Sequence, residues 1–180
     1  MRILCLLIFS FFMLFFSFSQ VNNDCDWEVV NTANNAIIAI QQDSALNFSI
    51  VNADWSEFIL LMSQFNCPAT LGVFYTDDNG GLICGGMTQW DNTQSMAIAA
   101  WGDDPTTPEK DGFSTNEPYV FKLCVNGLGE LASEVSMSSD TPFTDYYTTN
   151  GFGLMNSIVF SLPIDWEDWA LANNCDGIIS

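Results

Sequence analysis

Alternation of apolar and polar positions dominates the centre of the chain. Leu71-Gly72-Val73-Phe74-Tyr75 is a run of β-formers, followed by Thr76-Asp77-Asp78-Asn79-Gly80-Gly81 and then by Leu82 to Trp90. An Asn-Gly pair between two apolar runs predicts a hairpin, because both residues tolerate positive φ. Ser95 to Trp101 reads as a short buried strand. Gly102 to Phe113 holds two prolines and five charges, which excludes a strand interior or a stable helix and predicts an ordered loop. Tyr119 to Val125 alternates cleanly, and Asn126-Gly127 offers another turn.

The flanks continue the pattern. Trp27–Val30, Ala36–Ile40 and Leu46–Val51 are expected strands. In Asp54 to Phe65 the residues Trp55, Phe58, Ile59, Met62 and Phe65 fall at helical spacing, so a helical turn is favoured over a long strand. Beyond the centre, Leu128–Met137 and Ser157–Leu162 are expected strands, and Asp145–Thr149 is expected to pair with a neighbour. Asp165 to Ala172 reads as a short helix capped by Asp165, with acids at the positive end of its dipole. Some nine short strands at this spacing, with one or two short helices, predict an all-β domain: a two-layer antiparallel β-sandwich, Ig-like or jelly-roll-like, over residues 20–180.

The ordered set Gly72-Val73-Phe74-Tyr75, Asp77-Asp78-Asn79-Gly80, Cys84-Gly85-Gly86, Trp90, Trp101-Gly102-Asp103-Asp104, Glu109-Lys110-Asp111-Gly112-Phe113 and Phe121-Lys122 resembles a recurrent β-sandwich module. That module occurs, often in tandem, in large surface and adhesin proteins of gliding and marine Gram-negative bacteria, many of which leave the cell by the type IX route. The resemblance spans residues 71–125, about a third of the chain. It implies a β-sandwich fold and a place in a stalk or adhesin, and it names no ligand.

The first 19 residues have the form of a secretory signal peptide. Arg2 precedes the apolar run Ile3–Phe16, and Ser17-Phe18-Ser19 puts small residues where a signal peptidase reads, with cleavage before Gln20. The run is short for a membrane span. Removing it leaves Lys110 and Lys122 against 22 carboxylates, formally −20. Such a charge disfavours nucleic acid and anionic membrane surfaces, both of which need a cationic footprint. The expected setting is secreted, extracellular or on the cell surface, with a cell-surface protein or a glycan as partner and no membrane insertion.

Export permits disulfides. Five cysteines remain, an odd number. Cys25 and Cys175 lie in matching acidic contexts near the two ends, and a bridge between them is preferred. Cys84 and Cys124 sit in apolar strands, where a free thiol behaves as a small hydrophobe, and Cys67 could pair with either.

The chain has no histidine, which excludes Ser-His-Asp and Cys-His machinery and makes zinc improbable. The two glycine pairs bracket a strand instead of opening a helix, so no phosphate-cradling loop is present. No catalytic residues are assigned, and no cofactor beyond calcium is considered. Asp103, Asp104, Glu109 and Asp111 crowd one loop, and Asp77 and Asp78 crowd a turn; together they are candidate calcium ligands, since calcium takes six to eight hard oxygens. Turn hydrogen bonds from Asp to backbone amides explain the same residues without an ion. Trp166, Trp169, Tyr146 and Tyr147 are candidates for stacking on a ligand or partner. The expected role is a non-catalytic adhesion or structural binding module with its affinity in loops such as Gly102 to Phe113. The alternative is a carbohydrate-binding module with calcium-stabilised loops.

Overall fold

Asn35–Ile40, strand β1, shows how the sequence becomes a core. Ala36, Ile38 and Ile40 are buried while the residues between them are half-buried, the period-2 pattern of a strand with one face inside. A computed structural model describes residues 26–41, 69–90, 94–125 and 128–160. The remaining strands are β2 (Ala69–Thr76), β3 (Leu82–Trp90), β4 (Met96–Trp101), β5 (Val120–Val125), β6 (Leu128–Met137) and β7 (Phe152–Phe160). No helix occurs among the described residues. The expected helical stretches Asp54–Phe65 and Asp165–Ala172, the expected strand Leu46–Val51, the leader and the Asn126-Gly127 turn lie outside them.

The seven strands form one sheet in the order β3-β2-β5-β6-β7-β1-β4. Five of the ladders are antiparallel; β1 and β7 run parallel, with Ile37 opposite Phe152 and Ile40 opposite Met155. This corrects the expectation of two antiparallel layers. β6 accounts for much of the difference. Its first residues, Leu128 to Leu131, pair with β5, and its later ones, Ala132 to Met137, pair with β7. One strand of ten residues is thus shared by two halves that would otherwise be separate layers.

The two ends of the order, β3 and β4, come back together. A Cβ on Gly86 would run into the Ala99 carbonyl and meet the Ile98 side chain. No ladder joins β3 to β4 among the described residues, so the sheet is barrel-like and nearly closed. Its interior is filled by side chains from β1, β2, β4, β5 and β7, among them Ile38, Leu71, Ile98, Phe121, Met155, Ile158 and Phe160, with Ala132 and Met137 of β6 packed against them, as expected of a small barrel. A side chain of this size contributes roughly 1.5–3 kcal/mol when fully buried.

Two local features follow from the sequence. Residues 77–81 close the β2–β3 hairpin: Gly80 N–H donates to Asp77 O (3.1 Å), Asp77 N–H to Gly81 O (2.8 Å), and only Gly80 takes positive φ (84°). This is a three-residue loop with glycine at the left-handed position, and it closes the hairpin that Asn79-Gly80 predicted. Opposite Val73, β3 carries an extra residue, because Val73 faces Gly86 and Phe74 faces Cys84. Gly85 is the residue left unpaired at this bulge.

Trp27–Val30 is not a strand. It is an extended entry segment whose Trp27 ring lies on Gly72, where a Cβ would stand 2.8 Å from Cζ3 of the indole. The absent side chain at Gly72 is what lets the ring lie on the sheet.

Candidate functional site

Two regions compete for the role of site: the strap Gly102 to Glu117 across one end of the barrel, and the outer face of β3-β2-β5-β6.

The strap is anchored at its neck by two backbone bonds, Asp103 N–H to Phe113 O and Phe113 N–H to Trp101 O, both 2.9 Å. Asp103 and Asp111 tie the two ends of the strap together: Asp111 N–H donates to Asp103 Oδ1 (3.0 Å), and Asp104 N–H donates to Asp111 Oδ1 (2.9 Å). Asp104 Oδ1 accepts from Thr106 N–H (2.9 Å) and from the Thr106 hydroxyl (2.7 Å). Those bonds, the hydroxyl first, hold the Asp104 carboxyl below its usual range. In the hairpin turn Asp77 Oδ1 accepts from Gly81 N–H (2.6 Å) and Asn79 N–H (2.9 Å), and the Gly81 amide leads in lowering Asp77 in the same way. A lowered carboxyl contributes its stability above its unfolded pKa and loses it as pH falls through the folded one, so these turns weaken only in acid below the ordinary carboxylate range.

Asp103, Asp104, Asp111 and Asp77 therefore brace backbone, Glu109 and Asp78 are exposed, and no group of three or more carboxylates and thiols converges as a metal cluster among the described residues. Turn hydrogen bonds engage Oδ1 of Asp77, Asp103, Asp104 and Asp111, the arrangement that turn chemistry alone predicts. The expected result is a melting midpoint that millimolar calcium or an excess of chelator leaves unchanged, measured by circular dichroism.

Phe113 plugs the barrel end beneath the strap. Its ring lies 5.7 Å from Tyr75 and 5.5 Å from Tyr119, both edge-on, and stacks on Tyr147 at 5.6 Å and 14°. Gly85 and Gly102 make room for this cluster. A Cβ on Gly85 would meet Cε2 of Phe113, and one on Gly102 would meet the Tyr147 hydroxyl. Tyr147 is 2% exposed, so it is a core residue and not a stacking candidate. Its neighbour Tyr146 is exposed. Trp166 and Trp169 lie outside the described residues.

Glu117 was not legible as a site residue, yet it organises the strap. Its Oε1 accepts from Thr76 N–H (2.8 Å) at the end of β2. Its Oε2 accepts from Ser114 N–H (2.8 Å) and from Lys110 Nζ (2.8 Å). Lys110 Nζ also donates to Thr76 O (2.5 Å) and lies 5.4 Å from the Tyr75 ring centre. Burial first, then the charges of Asp111, Asp103 and Asp77, push the Tyr75 hydroxyl up to about 12, so it stays neutral.

The outer face is different in kind. Met87 faces Gly72, Gly72 faces Lys122, and Lys122 faces Leu131, so the four share one face of the sheet in a row across β3, β2, β5 and β6. Three strand spacings make that row about 14 Å long. Trp27 covers its centre, edge-on to Phe74 at 5.0 Å. Lys122 Nζ lies 5.4 Å from the Phe74 ring centre and 6.0 Å from that of Trp27. Lys110 is ion-paired with Glu117, whereas Lys122 lies over rings. Met87 and Leu131, at the two ends, are 46% and 48% exposed.

Of the two described cysteines, Cys84 is a free buried thiol that burial pushes up to about 11, which leaves it unreactive at neutral pH. Cys124 is disulfide-bonded, one of the two outcomes that the sequence left open for it. The expected Cys25–Cys175 bridge lies outside the described residues.

No family model matches the chain, and no curated protein or solved structure is significantly similar to it.

Proposed function

We propose that this chain is a secreted, non-catalytic adhesion or structural binding module that meets its partner through the outer face of β3-β2-β5-β6. One observation carries the reading: the row from Met87 through Trp27 and Lys122 to Leu131, with large apolar groups exposed at both ends of it, on a chain that is otherwise strongly acidic. Contiguous exposed apolar surface on a soluble domain marks a contact region more often than scattered single residues do. The strap favours a scaffold role instead, because its polar groups are engaged with one another. The resemblance of residues 71–125 to adhesin modules supports the same reading, as does the leader-like start. The alternative, a carbohydrate-binding module, draws on the Trp27 ring at the centre of the row, since a flat aromatic platform suits a sugar ring.

The test is retention of the mature chain on an array printed with glycans and extracellular surface proteins, beside Met87→Asp and Leu131→Asp variants. Both positions are half-exposed, so the variants are expected to melt within a few degrees of the parent. Retention on protein features that drops at least about tenfold in both variants, roughly 1.4 kcal/mol of contact, is the expected result. Retention on glycan features alone moves the assignment to the carbohydrate alternative. Retention untouched by either substitution removes the outer face from the reading.

A further inference from the structure

We propose that the disulfide partner of Cys124 is Cys25, so that one bridge staples the entry segment to the outer face of the sheet. Cys124 is bonded, and Cys84, the other described cysteine, is a free thiol. On β5, Phe121 and Leu123 belong to the barrel core, which puts Lys122 and Cys124 on the outer face. Cys124 and Phe74 are nevertheless only 6% and 3% exposed, and neither belongs to the cluster that fills the barrel. Both are covered from the outer side, and for Phe74 the cover is Trp27.

The entry segment leads from that cover toward Cys124. Gly102 N–H donates to Asn34 O (2.9 Å), and the Thr32 hydroxyl donates to Gly102 O (2.6 Å), both at the strap end of the barrel. Thr76 finishes β2 at the same end, where Lys110 of the strap bonds its carbonyl. Traced backward, the chain leaves the strap end at Thr32 and lies over Gly72 and beside Lys122 at Trp27. Beyond Gly72 and Lys122 in that direction, the next pair on this face is Thr70 with Cys124. The segment alternates: Trp27 and Val29 are half-buried, while Asp26, Glu28 and Val30 are exposed. Cys25 is one peptide bond from Asp26, has the parity of Trp27 and precedes it by two positions, a step of about 7 Å that matches the step from Lys122 to Cys124. Cys67 fits worse. It has the parity of Ala69 and Leu71, which face the core. It also stands three positions before Thr70, the residue opposite Cys124, roughly 10 Å in extended chain, where a bridge spans about 4.4–6.8 Å between Cα atoms.

Closing the bridge removes one hydrogen from each thiol and passes two electrons to a disulfide-bearing oxidant, which becomes its dithiol. The product joins positions 99 apart and fixes Trp27 at the centre of the outer row, whether or not that face meets a partner. Peptide mapping of the full chain, folded under oxidising conditions, tests the assignment. Free thiols are blocked with N-ethylmaleimide in denaturant at mildly acidic pH, the chain is digested with pepsin without reductant, and linked peptides are identified by mass spectrometry before and after reduction. The expected result is a linked pair holding Cys25 and Cys124 that separates on reduction, with Cys84 carrying the label. Linkage of Cys124 to Cys67 or to Cys175 overturns the proposal. So does the Cys25–Cys175 bridge that the matching acidic contexts favoured, and so does a maleimide label on Cys25 or Cys124.

Discussion

Phe113→Ala is expected to lower the stability of the domain by about 4 kcal/mol, seen as a shift of the urea midpoint with little change in slope. The ring is buried on all sides and meets three aromatic neighbours, each worth about 0.5–1.5 kcal/mol beyond the area it covers. Little around it can collapse into the space. Tyr75 is fixed on β2, Tyr147 is tied at Tyr147 N–H to Glu117 O (2.8 Å), and the Trp101 and Asp103 backbones hold the strap neck. Against a total of about 5–15 kcal/mol, that loss is large, and the melting midpoint should fall by about 10 °C. Phe113→Leu refills part of the volume and should cost less than half as much. A loss below about 1 kcal/mol in Phe113→Ala would mean that the strap lies on the barrel without closing it.

The same cluster explains what the recognisable motifs are for. Cys84-Gly85-Gly86, Trp101-Gly102-Asp103-Asp104 and Lys110-Asp111-Gly112-Phe113 stand apart in sequence but meet around one ring. Gly85 and Gly102 leave space for the Phe113 cluster, Gly112 packs against the Gly102 backbone, and Asp103 and Asp111 hold the two ends of the strap together. As a pattern they specify the closure of a barrel end. That is why the motifs suggested an architecture and no chemistry.

Strands were legible wherever alternation or a β-rich run was strong: β1 to β6 appear where the pattern placed them. β7 begins five residues earlier than expected, because Phe152 to Met155 pairs with β1 through contacts no local pattern reveals. The arrangement of strands was less legible for the same reason. The parallel pairing of Ile37 with Phe152 joins residues more than a hundred apart, and nothing in the alternation of β6 shows that its partner changes at Ala132. Tyr146 and Tyr147 illustrate the limit at single residues. In extended chain, neighbours point to opposite faces, so one of the two had to be buried; which one depends on the pairing of Pro118 with Tyr146, a long-range fact. Glu117 is one carboxylate among 22, seven residues from its lysine. Only the scarcity of cations hinted at it, since a chain with two lysines beyond Arg2 must give each of them an environment.

That scarcity makes Glu117 the second position of large effect. Glu117→Ala is expected to cost about 3 kcal/mol. The substitution leaves Thr76 N–H and Ser114 N–H without an acceptor and leaves Lys110 charged in a setting where its side chain is only 16% exposed. Breaking a mostly buried pair from one side typically costs about 3–5 kcal/mol; residual solvent contact at both partners argues for the lower end. Glu117→Gln keeps oxygen acceptance but not the charge, and should fall between the parent and Glu117→Ala. The double variant Glu117→Ala/Lys110→Met discriminates between the pair and the amides. If the stranded ammonium is the main penalty, removing it should recover a large part of the loss, because an apolar side chain suits the Tyr75 ring beneath it. If the two amides dominate, the double variant stays as unstable as the single one. In that case Glu117 acts on this fold as a brace between β2 and the strap, and its charge is incidental.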